Sequence, residues 1–147
     1  MTAARHAHVA GLLAIFVVFV GIGMCASGRV RASETPAPVF TAKQATAGQS
    51  AYAQRCASCH MPDLSGGNDV PPLSGDLFLS TWRARTTKDL IDYMSAAMPP
   101  AGPALTADTY ASIGAFILKA NGAIAGTQEL TPTTAVSIGS VTKTAAP

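Results

Sequence analysis

The stretch Cys56-Ala57-Ser58-Cys59-His60 decides how the rest of the chain is read. Two thiols three positions apart lie on about one helical turn, and C-x-x-C-H is the attachment signature of c-type haem. The thiols add to the two vinyl groups on adjacent edges of the porphyrin. The next residue then projects under the ring, where its imidazole binds iron as the proximal ligand. Other uses of the motif fit less well. A zinc site needs four ligands, and no Cys or His follows His60. A thioredoxin-like pair needs a βαβ context, whereas the flanks here read as helix and then Gly/Pro loop. A structural disulfide would leave His60 unexplained. The expected cofactor is one covalently bound haem c, tethered by Cys56 and Cys59 and ligated by His60.

The N-terminus is consistent with that chemistry. Arg5, His6 and His8 precede an uncharged run from Val9 to Ala26, the n-region and h-region of an export signal. Val30-Arg31-Ala32 offers small residues for a cut after Ala32. The run is long for an h-region and short for a ~20-residue membrane span. A membrane association is expected only if this segment is retained as an anchor. A lipoprotein signal at Cys25 would need a small residue where Met24 stands. In a bacterial cell covalent c-type haem is installed outside the cytoplasmic membrane, so the expected location is the periplasm.

Charged residues make up 12% of the chain, and the formal net charge is +2. From Ser33 onward, however, seven Lys and Arg face eight Asp and Glu, a net of −1. There is no basic run or stripe, which argues against nucleic-acid binding.

Glu34 to Phe40 (ETPAPVF) reads as an extended Pro-rich leader. Thr41 to Cys59 reads as one helix, with Ala45, Gly48, Tyr52 and Arg55 at helical spacing. Met61 to Gly75 is a Gly/Pro loop. Asp76 to Arg85 carries a short helix with Leu77, Phe78 and Trp82. Thr86 or Thr87 caps a further helix whose apolar face is Leu90, Ile91, Met94 and Ala97, stopped by Pro99-Pro100. Met98 to Leu105 is a second loop. Thr106 caps the last clear helix, Ala107 to Asn121, closed by Gly122. Gly114 on its inward face permits a close crossing, with Gly48 as the expected counterpart. The tail offers Leu130, Val136, Ile138 and Val141 as anchors. The fold class is all-α, about four short helices wrapped around the haem, which supplies apolar mass that so small a core lacks.

If the signal is removed, His60 is the only His left, so bis-His ligation within one subunit is excluded. Among the thioethers, Met61 adjoins the proximal ligand and cannot reach the far face. Met94 sits mid-helix in an apolar register and reads as core. Met98 stands where the helix ends and two prolines force a rigid loop. It is the favoured distal ligand, 38 residues after His60. A Met/His pair closes the iron and raises its potential relative to bis-His. An iron held by His60 alone would suit a haem enzyme or a small-ligand sensor, the alternative function.

Residues 45–122 resemble class I cytochrome c domains. Gly48 and Tyr52 fall eight and four residues before Cys56, as the family's Gly and aromatic do. Ile113 and Phe116 fit the apolar and aromatic pair of the crossing C-terminal helix. Pro71-Pro72-Leu73-Ser74-Gly75 looks like the family's P-x-L-x-G loop, whose Pro carbonyl accepts a bond from the proximal His Nδ1. Pro71 fits that register best, with Pro72 the alternative. Met98-Pro99 looks like the distal Met-Pro. More loosely, Pro71 through Asn121-Gly122, with Gly126 and Glu129-Leu130, is similar to cytochrome c domains associated with quinoprotein alcohol dehydrogenases. That likeness extends the ordered region to about residue 141. Trp82 either lies near the haem edge, where its indole N–H could bond a propionate, or is an ordinary core Trp.

These readings divide the chain into a signal segment 1–32, a Pro-rich linker 33–43, a cytochrome c domain 44–125 and a Thr/Ala-rich extension 126–147. They imply an electron-transfer protein rather than an enzyme in its own right. Its partners would be redox proteins such as a periplasmic dehydrogenase or a terminal oxidase, and it would act as a free shuttle or as a dehydrogenase's cytochrome subunit.

Overall fold

The computed structural model describes residues 37–67 and 69–142; the expected signal segment lies outside the described residues. Six helices follow in order: α1 (Ala42–Arg55), α2 (Ala57–His60), α3 (Gly75–Trp82), α4 (Thr87–Ala97), α5 (Ala107–Ala120) and α6 (Ile138–Val141). Among the described residues there is no strand, only two isolated bridges, Thr41 with Gly126 and Thr86 with Ser137. The all-α fold is therefore as expected, with two more short helices than the sequence suggests.

The caps explain the helix starts. Thr41 accepts from the Gln44 amide at 3.1 Å, and Thr106 accepts from the Thr109 amide at 3.2 Å. Thr86, not Thr87, caps α4, in a reciprocal box with Asp89. Thr87 instead lies fully buried, its hydroxyl donating to the Thr134 carbonyl at 2.5 Å.

Helices α1 and α5 cross closely, and Gly48 is the reason. A Cβ there would lie 1.8 Å from the Ser112 carbonyl oxygen. Gly114 is not its counterpart. A Cβ on Gly114 would make ordinary contacts, 3.5 to 3.7 Å, with Leu130, Ile91 and Met94, so Gly114 faces α4 and the C-terminal segment. Tyr52 and Phe116 meet across the crossing with ring centroids 5.3 Å apart.

Three further features depart from the expectations. The expected helix from Thr41 to Cys59 is two helices, because Cys56 leaves helical geometry at φ −124°, ψ −34°. Its amide still bonds the Tyr52 carbonyl and its carbonyl still accepts from His60, so the chain turns without losing hydrogen bonds. Val39 and Phe40, expected in a linker, are core residues, and Phe40 is 0% exposed. Their apolar side chains find a partner in the C-terminal segment, whose Gly126 amide bonds the Phe40 carbonyl at 2.8 Å. Beyond Gly126 that segment folds back over α1, α3 and α4. The Gln44 side-chain amide exchanges two bonds with the backbone of Leu130, at 2.6 and 2.8 Å. Ile138 and Gly139 bond the carbonyls of Arg85 and Arg83 at 2.9 Å each. Leu130, Ile138 and Val141 are buried.

Candidate functional site

A cavity of about 670 Å³ opens in the body of the fold, within the range of ligand sites. Cys56, Cys59, His60, Pro71, Trp82 and Met98 all line it. The sequence scatters them over 43 positions, and the fold brings them to one wall system. Leu73, Phe78, Leu90, Ile113 and Ile117 make most of that wall apolar. Arg55 and Arg85 are cations on it, and Asp69 is an anion.

The proximal side is built from α1, α2 and the following loop. Cys56 is half-buried, Cys59 is exposed, and the two form no disulfide. Burial pushes the Cys56 thiol upward, opposed by neighbouring Arg55 and reinforced by Cys59. His60 is 8% exposed. Its Nδ1 lies 2.9 Å from the carbonyl oxygen of Pro71, and not of Pro72. An imidazole donating from Nδ1 keeps Nε2 free as a metal ligand, oriented and made more basic.

Two side chains whose hydrogen-bonding roles the sequence does not assign hold this arrangement. Tyr52 donates its hydroxyl to the Met61 carbonyl at 2.6 Å, fixing the chain where it leaves His60. Burial, with lesser contributions from Cys56 and Asp63, pushes that hydroxyl up to about 12, so it stays a donor. Asn121 donates to the Leu73 and Ile117 carbonyls at 3.0 and 2.9 Å and accepts from the Gly75 amide at 3.0 Å. It thus ties the Pro71–Gly75 loop to the end of α5. The sequence places it only as the last residue of the helix that Gly122 closes and as the end of the stretch similar to the dehydrogenase-associated domains.

Met98 ends α4, its amide bonded to the Met94 carbonyl at 2.9 Å. Met94 lies one turn earlier, buried and also on the cavity wall; its methyl would sit 3.7 Å from a Cβ on Gly114. Met94 is therefore part of the α4–α5 packing. Trp82 stacks on Phe78 at 6.2 Å and meets Tyr93 edge-on at 5.6 Å. The Arg85 guanidinium lies 5.0 Å above its ring.

The residues suit a haem c: two thiols and an oriented imidazole in one motif, a thioether on the same cavity, apolar walls for a flat macrocycle, and arginines for its carboxylates. Fold and site together define a class I cytochrome c domain. A family comparison agrees: the family described as cytochrome c oxidase, cbb3-type, subunit III matches residues 43–117, and the chain belongs to it. No curated protein and no solved structure matches the chain. A domain of this family binds haem c covalently and transfers electrons.

Proposed function

We propose that the chain is a periplasmic one-haem electron carrier, reduced by one redox protein and oxidised by another. The group supplies a one-electron Fe(III)/Fe(II) couple when bound. Cys56 and Cys59 hold it by thioethers, His60 Nε2 and Met98 Sδ hold the metal, and the Pro71 carbonyl sets the His60 ring. Trp82, on the same cavity wall, would pack against the macrocycle. The observation that carries this reading is the 2.9 Å contact of His60 Nδ1 with Pro71, which leaves Nε2 as the ligating nitrogen on the cavity wall. A full coordination shell needs little rearrangement between oxidation states, which suits a carrier and excludes substrate from the metal.

Export is supported by the uncharged Val9–Ala26 run and the Val30-Arg31-Ala32 cleavage pattern. The family's description names an oxidase subunit, which favours a terminal oxidase over a dehydrogenase as the partner. Docking to such partners is small and transient.

Met98→Ala tests the closed shell. The variant should bind cyanide and carbon monoxide rapidly while the native protein stays inert. Rapid binding by the native protein would instead support the ligand sensor. Fractionating native cells tests the rest: haem in the soluble periplasm, at the mass of the chain from Ser33 plus haem, is the expected result for a diffusible carrier. Haem travelling with a much larger protein would make it a subunit.

A further inference from the structure

We infer that Tyr110 is the positioning residue of the distal loop: its hydroxyl joins the loop's two ends and keeps Met98 in the cavity, an inference that rests on Met98 being the distal ligand. Tyr110 belongs to α5 and is 3% exposed. Its hydroxyl donates to the Met98 carbonyl at 2.5 Å and accepts from the Leu105 amide at 3.3 Å. A phenol is one donor and one acceptor, so a single group satisfies both ends.

The loop has few other means of support. Pro99, Pro100 and Pro103 have no amide hydrogen to give. Arg55 reaches the Pro103 carbonyl at 3.0 Å, but that bond is open to solvent. Removing the Tyr110 oxygen leaves the ring filling the same space, while the Met98 carbonyl and the Leu105 amide both lose their partner. The loop then opens more often, and the thioether leaves with it. An external ligand reaches a closed metal only through that opening, so its apparent affinity reads the population of the open loop.

The experiment uses the ferric holoprotein and cyanide as probe, with the far-red sulfur-to-iron charge-transfer band reporting Met98 ligation. Tyr110→Phe should bind cyanide about thirtyfold more tightly, the equivalent of the two hydrogen bonds lost, and lose charge-transfer intensity in proportion as cyanide is added. Thr87→Val removes a buried hydroxyl that likewise joins two backbone groups, the Thr134 carbonyl and the Val136 amide, away from the cavity, and should leave cyanide affinity unchanged. If Tyr110→Phe matches the native protein while Met98→Ala binds strongly, Tyr110 merely packs; the inference fails and the Met98 reading stands. If Met98→Ala also matches the native protein, the Met98 reading itself fails. Should Tyr110→Phe not assemble, amide exchange in the unaltered holoprotein decides. Leu105 protected, with an opening rate equal to the limiting rate of cyanide binding, supports the inference. Leu105 exchanging at the free-chain rate overturns it.

Discussion

Two glycines on the inner faces of α1 and α5 should respond to the same substitution with opposite signs. At Gly48 an added methyl would lie 1.8 Å from the Ser112 oxygen and 2.4 Å from its carbon. Those are backbone atoms, so relief requires separating the helices. Gly48→Ala should cost about 3 kcal/mol, the upper part of the range for overpacking. At Gly114 the nearest atoms are side-chain carbons at 3.5 to 3.7 Å. There the helix gains propensity without a clash, and Gly114→Ala should stabilise by up to about 1 kcal/mol. Denaturant unfolding of both holoprotein variants checks the pair. The sequence spacing identifies Gly48 and Tyr52 as one face, but it pairs the wrong glycines, because a missing side chain carries no record of what fills the space. Tyr52 makes a second case. Its folded-state value, about 12 against the ordinary 10.0, is raised. The stability it contributes is complete below pH 10 and lost as pH rises from 10 towards 12. Between those limits the native protein should lose stability faster than Tyr52→Phe, as pH-dependent unfolding would show.

At the level of elements, α4 shows how far local signals reach. Its start is legible because Thr is a favoured N-cap residue type. The sequence left Thr86 and Thr87 equivalent; the structure separates them by burial, since only Thr87 points at the C-terminal segment. The Thr86 amide and hydroxyl both bond the Asp89 carboxylate at 2.8 Å. Those bonds hold the Asp89 carboxyl below its ordinary value of 3.8, the Thr86 amide contributing most. A depressed folded-state value means stability that is present above pH 3.8 and lost as pH falls through the lower folded value. Asp89→Asn should therefore be less stable than the native protein at pH 7, and the gap should close below about pH 3.8. A gap unchanged at pH 2 would show that the carboxylate is not what caps α4. The break at Cys56 was not legible in the same way. Helical spacing continues through the motif, and what interrupts it is the geometry of presenting two thiols and an imidazole to one cavity.

At the scale of the whole molecule, the question is whether the protein part can hold this shape alone. The all-α reading and the idea of a core completed by its cofactor came from the motif and the short helices. The tail's anchors Leu130, Ile138 and Val141 were legible too, and all three are buried; the elements they return to were not, because backbone bonds such as Gly126 to Phe40 leave no mark in composition. None of that segment's residues lines the cavity, however. A cavity of about 670 Å³ with mostly apolar walls is costly to leave unfilled: water entering through the mouth gains few partners there, and the walls lack the close-packed neighbours of an ordinary core. Collapse or loss of fixed packing is the cheaper outcome. The Cys56→Ala/Cys59→Ala chain cannot tether the group and should show much less helical circular dichroism than the holoprotein, with no cooperative thermal transition. A sharp transition with native helix content would mean that the α1–α5 crossing and the C-terminal segment suffice, and that the cofactor is a guest in a preformed fold rather than part of its core.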